Sequence, residues 1–150
     1  MSKVIKQLNQ IQADAHALYV KLHNYHWNVK GMDFHPVHNY TEGVYDEMST
    51  LFDDVAERAI ILGGKALLTI DDLVKTTKIK TETGDSFKSK EIVEKITEDF
   101  KYLLEEFKKL SALAGENADK GTEAFADEKV AKLEKDLWML NSMQKEVYSL

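Results

Sequence analysis

A chain of 150 residues with a net charge of −6 and no cysteine is the size of one domain (1–150), can bury a core unaided, and has no disulfide framework or thiolate zinc site. One proline and seven glycines argue against a turn-rich all-β fold. The acidic balance opposes contact with phosphate backbones unless a basic patch is built locally; it suits a protein that handles cations, though acidity also serves plain solubility.

The N-terminus, MSKVIKQLNQ, is polar and lacks the apolar stretch of a secretory signal. Val4, Leu8, Ile11, Ala15, Leu18, Leu22, Tyr25 and Val29 then recur at helical spacing. Gly31 supplies a stop for that first helix. Asp33 is placed to cap the second, with Pro36 in its first turn, where a missing N–H costs little. The second helix reads on to Leu62, with Val37, Tyr40/Thr41, Val44, Met48, Leu51/Phe52, Val55 and Ile60 on its apolar side, and Gly63-Gly64 ends it. Residues 65–88 form a long connection in which 70–74 is expected to make a short helix and 75–88 a loop. A third helix is expected from about Ser89 to Ala114, stopped by Gly115; Ser89 and Ile92 give only half a capping box. After the polar segment 116–121, a fourth helix runs from about Thr122 to Tyr148 on Phe125, Val130, Leu133, Leu137, Leu140 and Val147. No apolar run approaches the roughly 18 residues of a membrane span, so no membrane partner is expected and a cytoplasmic location fits. Two long hairpins joined by one long connection describe an all-α, ferritin-like four-helix bundle with a short extra helix in the crossover.

All five histidines fall between residues 16 and 38. His26 lies near the end of the first helix and His38 near the start of the second, so the turn brings both to one end of the hairpin. On its own such a pair is more often hydrogen-bonded than metal-bound. Asp53 and Glu57 stand at i and i+4, on one helix face. Two carboxylates there repel unless a cation separates them; Arg58 offers partial relief, and a solvated acidic face is the ordinary alternative. Imidazole nitrogen with carboxylate oxygen suits non-haem iron, manganese or zinc. His38 and Asp53 are 15 residues apart on one helix, or roughly 22 Å at 1.5 Å per residue. One chain cannot bring them to one ion. If these four residues share a site, two chains supply it about a two-fold axis.

The stretch His26-Trp27-Asn28-Val29-Lys30-Gly31, then Phe34, His38, Tyr45-Asp46-Glu47, Asp53-Asp54-Val55-Ala56-Glu57-Arg58 and Leu137-Trp138-Met139-Leu140 resembles the Dps family, the mini-ferritins also called DNA-binding proteins from starved cells. The resemblance covers essentially the whole chain. It implies a dodecameric homo-oligomer built from two-fold dimers, in which Fe(II) is oxidised at inter-subunit sites, preferentially by hydrogen peroxide, and stored as ferric mineral. It implies iron (Fe2+/Fe3+) as the metal and no organic cofactor. His26, His38, Asp53 and Glu57 match the family's ferroxidase ligands. Glu42 matches a frequent acidic position that serves a second iron. Trp27 matches a tryptophan that takes up an oxidising equivalent, and an aromatic packed at the interface is the other reading. Asp119 and Asp127, with Glu123 and Glu116 nearby, match the acids of the iron-entry pore, although acids in a first helical turn are also ordinary dipole partners. His16 and His23, seven apart with Tyr19 between, are candidates for an accessory metal site.

DNA-binding members of the family often carry a lysine-rich N-terminal tail, whereas only Lys3 and Lys6 open the first helix here. Twelve copies at −6 carry 12 × −6 = −72. The expectation is therefore weak or conditional DNA binding. A nucleoid-type DNA-protecting protein with secondary iron chemistry is the alternative function, and a helical assembly protein without a working metal site is the third.

Overall fold

The computed structural model describes residues 1–146. Its elements in chain order are α1 (Ser2–Asn28), β1 (Val29–Lys30), α2 (Phe34–Ile61), α3 (Ile70–Thr76), β2 (Phe87–Lys88), α4 (Ser89–Glu116) and α5 (Lys120–Met143); β1 and β2 make a minimal two-stranded sheet. The chain divides into two compact units, 1–87 and 88–150.

The first unit is the α1–α2 hairpin with the connection that follows it. α1 buries Val4, Leu8, Ile11, Ala15, Leu18, Leu22 and Tyr25, and α2 buries Val37, Val44, Met48, Leu51, Val55 and Ala59. This is the 3.6-residue stripe legible in the sequence, with one correction: Ile60 is 59% exposed and Ala59 takes the inward position. α1 ends at Asn28, before the expected stop, because Val29 turns extended and enters β1; Gly31, at φ +106°, then makes the turn rather than the cap. Asp33 holds the N-cap position of α2 through its backbone, Val37 N–H donating to Asp33 O at 3.1 Å, without a side-chain cap bond. The connection is pinned to α1 by buried polar side chains. The Gln12 amide pairs with both backbone groups of Leu67 (2.9 and 3.0 Å), and Asp14 accepts from the Thr77 hydroxyl at 2.8 Å and Lys78 N–H at 2.9 Å. α3 lies between these two anchors, is capped by Thr69 Oγ1, and runs two residues further than expected, to Thr76. Tyr25 donates to Glu82 at 3.0 Å and meets Phe87 edge-on, which holds the end of the connection against the end of α1.

The second unit is the α4–α5 hairpin, which buries Ile92, Ile96, Phe100, Leu103, Phe107 and Leu110 on α4 and Ala126, Leu133, Leu137 and Leu140 on α5. Lys88, not Ser89, is the N-cap of α4, and no side chain caps it. Gly115 does not stop α4, which continues to Glu116; the left-handed residue of the turn is Ala118, φ +53°. Asp119 then caps α5 by accepting from Thr122 N–H at 3.2 Å, so α5 starts at Lys120, earlier than expected. α5 ends at Met143, short of the expected end; Val147 and Tyr148 lie outside the described residues.

Candidate metal centre

The hairpin turn brings His26 and His38 face to face, with ring centroids 3.6 Å apart and planes 17° from parallel. Their hydrogen bonds are reciprocal. His26 Nδ1 lies 2.7 Å from the backbone oxygen of His38, and His38 Nδ1 lies 2.7 Å from that of His26. A carbonyl oxygen only accepts, so both Nδ1 atoms carry the proton. With the proton on Nδ1, Nε2 is the ring nitrogen left to offer a lone pair to a metal. Thr41 adds a second contact, 3.3 Å from His26 Nδ1, while its own hydroxyl donates to Val37 O at 2.8 Å. His26 is 6% exposed, so its orientation is also fixed by packing.

Further rings flank the pair. Phe34 stacks on His38 (5.0 Å), Tyr45 stands edge-on to His26 (5.2 Å, 89°), and His23 stacks on Tyr45 (3.8 Å). The Trp27 ring lies 5.4 Å from that of His23 and is 63% exposed. Glu42 is exposed one turn after His38. Burial, followed by the charges of Glu42 and Asp46 and by Tyr19, pushes the Tyr45 phenol above its ordinary value, so it stays neutral.

Asp53 and Glu57 are exposed on α2. A hydrogen bond with the Asp53 side chain raises the Glu57 carboxyl, with the Asp53 charge, desolvation and Asp54 adding to the effect. Asp53, rather than Arg58, dominates its surroundings: its hydrogen bond and its negative charge both favour the protonated form of the Glu57 carboxyl. Among the described residues of one chain, no three His, Asp or Glu side chains converge to hold a metal. The structure thus joins His26 to His38 and Asp53 to Glu57, and leaves the two pairs about 15 residues of α2 apart, as the helix rise requires.

The remaining candidates fall into local roles. Asp119 caps α5; Glu123 sits 3.9 Å from Lys120; Asp127 accepts from the Ser111 hydroxyl at 2.6 Å; Glu116 ends α4. All four gather at the α4–α5 turn. His16 and His23 do not meet: His23 stacks on Tyr45 while the His16 ring lies 5.8 Å from that of Phe52. The carbonyl acceptors and Tyr45 were missed as parts of the centre. Tyr45 is seven residues after His38, hence two turns on along the same face, and that spacing was available; backbone acceptors leave no mark in a sequence.

A family model described as a ferritin-like domain matches residues 5–147. The DNA protection during starvation protein of a Helicobacter pylori strain is 47% identical over 140 residues, 93% of this chain and 97% of that protein. Among solved structures, Helicobacter cinaedi CAIP superposes with a TM-score of 0.94 at 49% identity, covering 95% of this chain and 99% of the other. A Dps protein from Vibrio cholerae, described as belonging to a broad superfamily of ferritin-like diiron-carboxylate proteins, gives 0.92 at 29% identity over 96% and 90%. The fold class is accordingly the ferritin-like all-α bundle, four long helices with α3 as the short extra helix of the crossover connection. Among the described residues, no helix is long and apolar enough to cross a membrane.

Proposed function

This chain belongs to the Dps family of ferritin-like proteins, and from that premise we propose that it is a cytoplasmic ferroxidase and iron store that consumes hydrogen peroxide and so protects against oxidative stress. The single observation that carries the reading is the reciprocal lock of His26 and His38, two stacked rings whose Nδ1 atoms are both committed to backbone oxygens, so that Nε2 is the nitrogen each has left for a metal. The 150 residues act as one domain, and copies assemble as a dodecamer of two-fold dimers. In each dimer the histidines of one subunit face Asp53 and Glu57 of the other, and two such sites form.

Each site takes two irons. The imidazole planes are nearly parallel and stacked, and a ligand lone pair lies in its ring plane, so one ion does not sit in both planes. Each histidine would then serve its own iron, with Glu42, Asp53 and Glu57 as the oxygen donors available to the pair. Two irons supply the two electrons that peroxide needs: 2 Fe(II) + H2O2 + 2 H+ gives 2 Fe(III) + 2 H2O, and no hydroxyl radical is released. Trp27, exposed beside His23, provides an electron when only one iron is present. Asp119, Glu123 and Asp127 form the acidic entry through which Fe(II) is drawn inward.

A DNA-protecting role is the second reading, favoured by what the Helicobacter pylori relative is called. The net charge of −6 per chain opposes direct DNA contact at ordinary salt, and a gel-shift at defined salt separates the two: strong retardation by iron-free protein puts DNA first. The ferroxidase reading is tested by adding Fe(II) and stoichiometric peroxide without oxygen and following ferric absorbance. Asp53→Ala/Glu57→Ala should lose fast oxidation while light scattering shows an intact oligomer; equal rates in both proteins would end the reading.

A further inference from the structure

We propose that Tyr45 is the electron donor next to the iron: when a site holds a single iron, the electron assigned above to Trp27 reaches peroxide through Tyr45. This deepens the ferroxidase reading and rests on it. The first ground is which rings touch the histidine pair. Among the described residues, Phe34 lies on His38 at 5.0 Å, while Tyr45 and His23 lie against His26 at 5.2 and 6.4 Å. The Phe34 ring and a neutral imidazole hold their electrons tightly. A phenol, which sheds its proton as an electron leaves, does not. Tyr45 is therefore the readily oxidised ring in contact with a ligand position. Trp27 is set back from the pair, and its ring contact is with His23 at 5.4 Å.

The second ground is continuity. Tyr45 stacks on His23 at 3.8 Å and 22°, and His23 meets Trp27 on its other side. His23 is held in place by its own Nδ1, which donates to Tyr19 O at 2.7 Å. Rings therefore follow one another at contact distance from His26 through Tyr45 and His23 to Trp27. Trp27 is 63% exposed, so the row ends at the surface of the chain. Peroxide needs two electrons to become water. A single Fe(II) supplies one, and Tyr45 supplies the other with its phenolic proton. Fe(II) + Tyr–OH + H2O2 + H+ gives Fe(III) + Tyr–O• + 2 H2O: the O–O bond breaks, and the further proton comes from solvent. Trp27 returns an electron across His23, with its indole proton, and restores the phenol. A later Fe(II) with one proton then restores Trp27. The sum is two Fe(II) for each peroxide, with no hydroxyl radical set free.

The test loads the iron-free oligomer anaerobically with one Fe(II) per site, mixes it with peroxide and freezes it for electron paramagnetic resonance. Protein grown on ring-deuterated tyrosine marks any tyrosyl signal by its narrower lines. Tyr45→Phe, which keeps the ring, and Trp27→Phe are compared with wild type and with Asp53→Ala/Glu57→Ala, with light scattering confirming assembly. The wild type should show a deuterium-sensitive tyrosyl radical first and a tryptophanyl radical after it. Tyr45→Phe should lose the first signal and most of the second, and a spin trap should then collect more hydroxyl radical. Trp27→Phe should keep the tyrosyl radical and prolong its life. A deuterium-sensitive signal that survives in Tyr45→Phe, a tryptophanyl radical at wild-type yield in that variant, or no protein radical in the wild type would each overturn the role of Tyr45. If fast iron oxidation is still lost in the carboxylate double variant, the ferroxidase reading stands without it. Oxidation and radicals unchanged in the double variant would instead remove the inter-subunit site and this inference with it.

Discussion

The two ends of α2 hold the two halves of the candidate centre in opposite states. At the N-terminal end, His38 is locked to His26 by paired Nδ1–carbonyl bonds, stacked on it at 3.6 Å, and flanked by Phe34. At the C-terminal end, Asp53 and Glu57 are exposed, and the hydrogen bond and charge of Asp53 raise the Glu57 carboxyl above its ordinary value. The histidine half has met its orientational cost during folding. The carboxylate half carries a standing repulsion that a divalent cation relieves. One half supplies geometry and the other supplies attraction, and neither is complete alone.

That division gives the prediction with the largest effect. A His26→Ala/His38→Ala chain and an Asp53→Ala/Glu57→Ala chain should each be inactive as homo-oligomers. Unfolded together in equal amounts and reassembled, they should regain activity. A mixed dimer has one centre with both halves damaged and one with both intact, and random pairing makes half the dimers mixed. About a quarter of wild-type iron oxidation should return, by the two-fold symmetry of the contact. Zero recovery, with mixed oligomers demonstrated by mass spectrometry, would mean that the halves do not meet across subunits.

The histidine half offers a smaller test. Thr41→Val keeps shape but removes the hydroxyl 3.3 Å from His26 Nδ1. The His38 carbonyl still accepts, so the tautomer survives and the ring gains freedom. Iron oxidation should fall at or below the lower end of the usual effect of an orienting partner, about tenfold, with the same number of irons bound at saturation. A drop in iron stoichiometry would show that Thr41 holds the fold of the turn instead.

How much of this was legible follows from what periodicity can carry. The buried stripes of α1, α2 and α4 were readable, because apolar residues at helical spacing encode a face. The separation of His38 from Asp53 was readable too, because helix rise is fixed. Ends were less legible: Gly115 looked like a stop, yet Ala118 makes the turn and Asp119 the cap, since capping depends on a local competition that a glycine does not decide. Ile60 and Ala59 exchanged roles because one residue is 100° of helix. The partners of His26 and His38 were illegible: backbone oxygens are present at every residue, and only the fold says which one a ring reaches.

The smallest effect belongs to the carboxylate half without metal. Glu57 is raised in the folded protein above its ordinary glutamate value. The folded state therefore binds more protons than the unfolded state in the window between those two values, and stability falls as pH rises through it. The loss is complete above the folded-state value and absent below the unfolded one. Glu57→Gln removes the titration and keeps a hydrogen-bonding side chain next to Asp53. In the presence of a chelator, the wild-type unfolding temperature should decline slightly more than that of the variant as pH rises from the ordinary glutamate value through the raised folded-state one. Both groups are exposed, so solvent screening keeps the difference small. With Fe(II) or Co(II) added at neutral pH the order should reverse, because the cation relieves the repulsion between the two carboxylates and the variant has lost one of them. Identical curves without metal would mean that Asp53 and Glu57 do not strain one another, and the attraction for cations would then have to come from the histidine half.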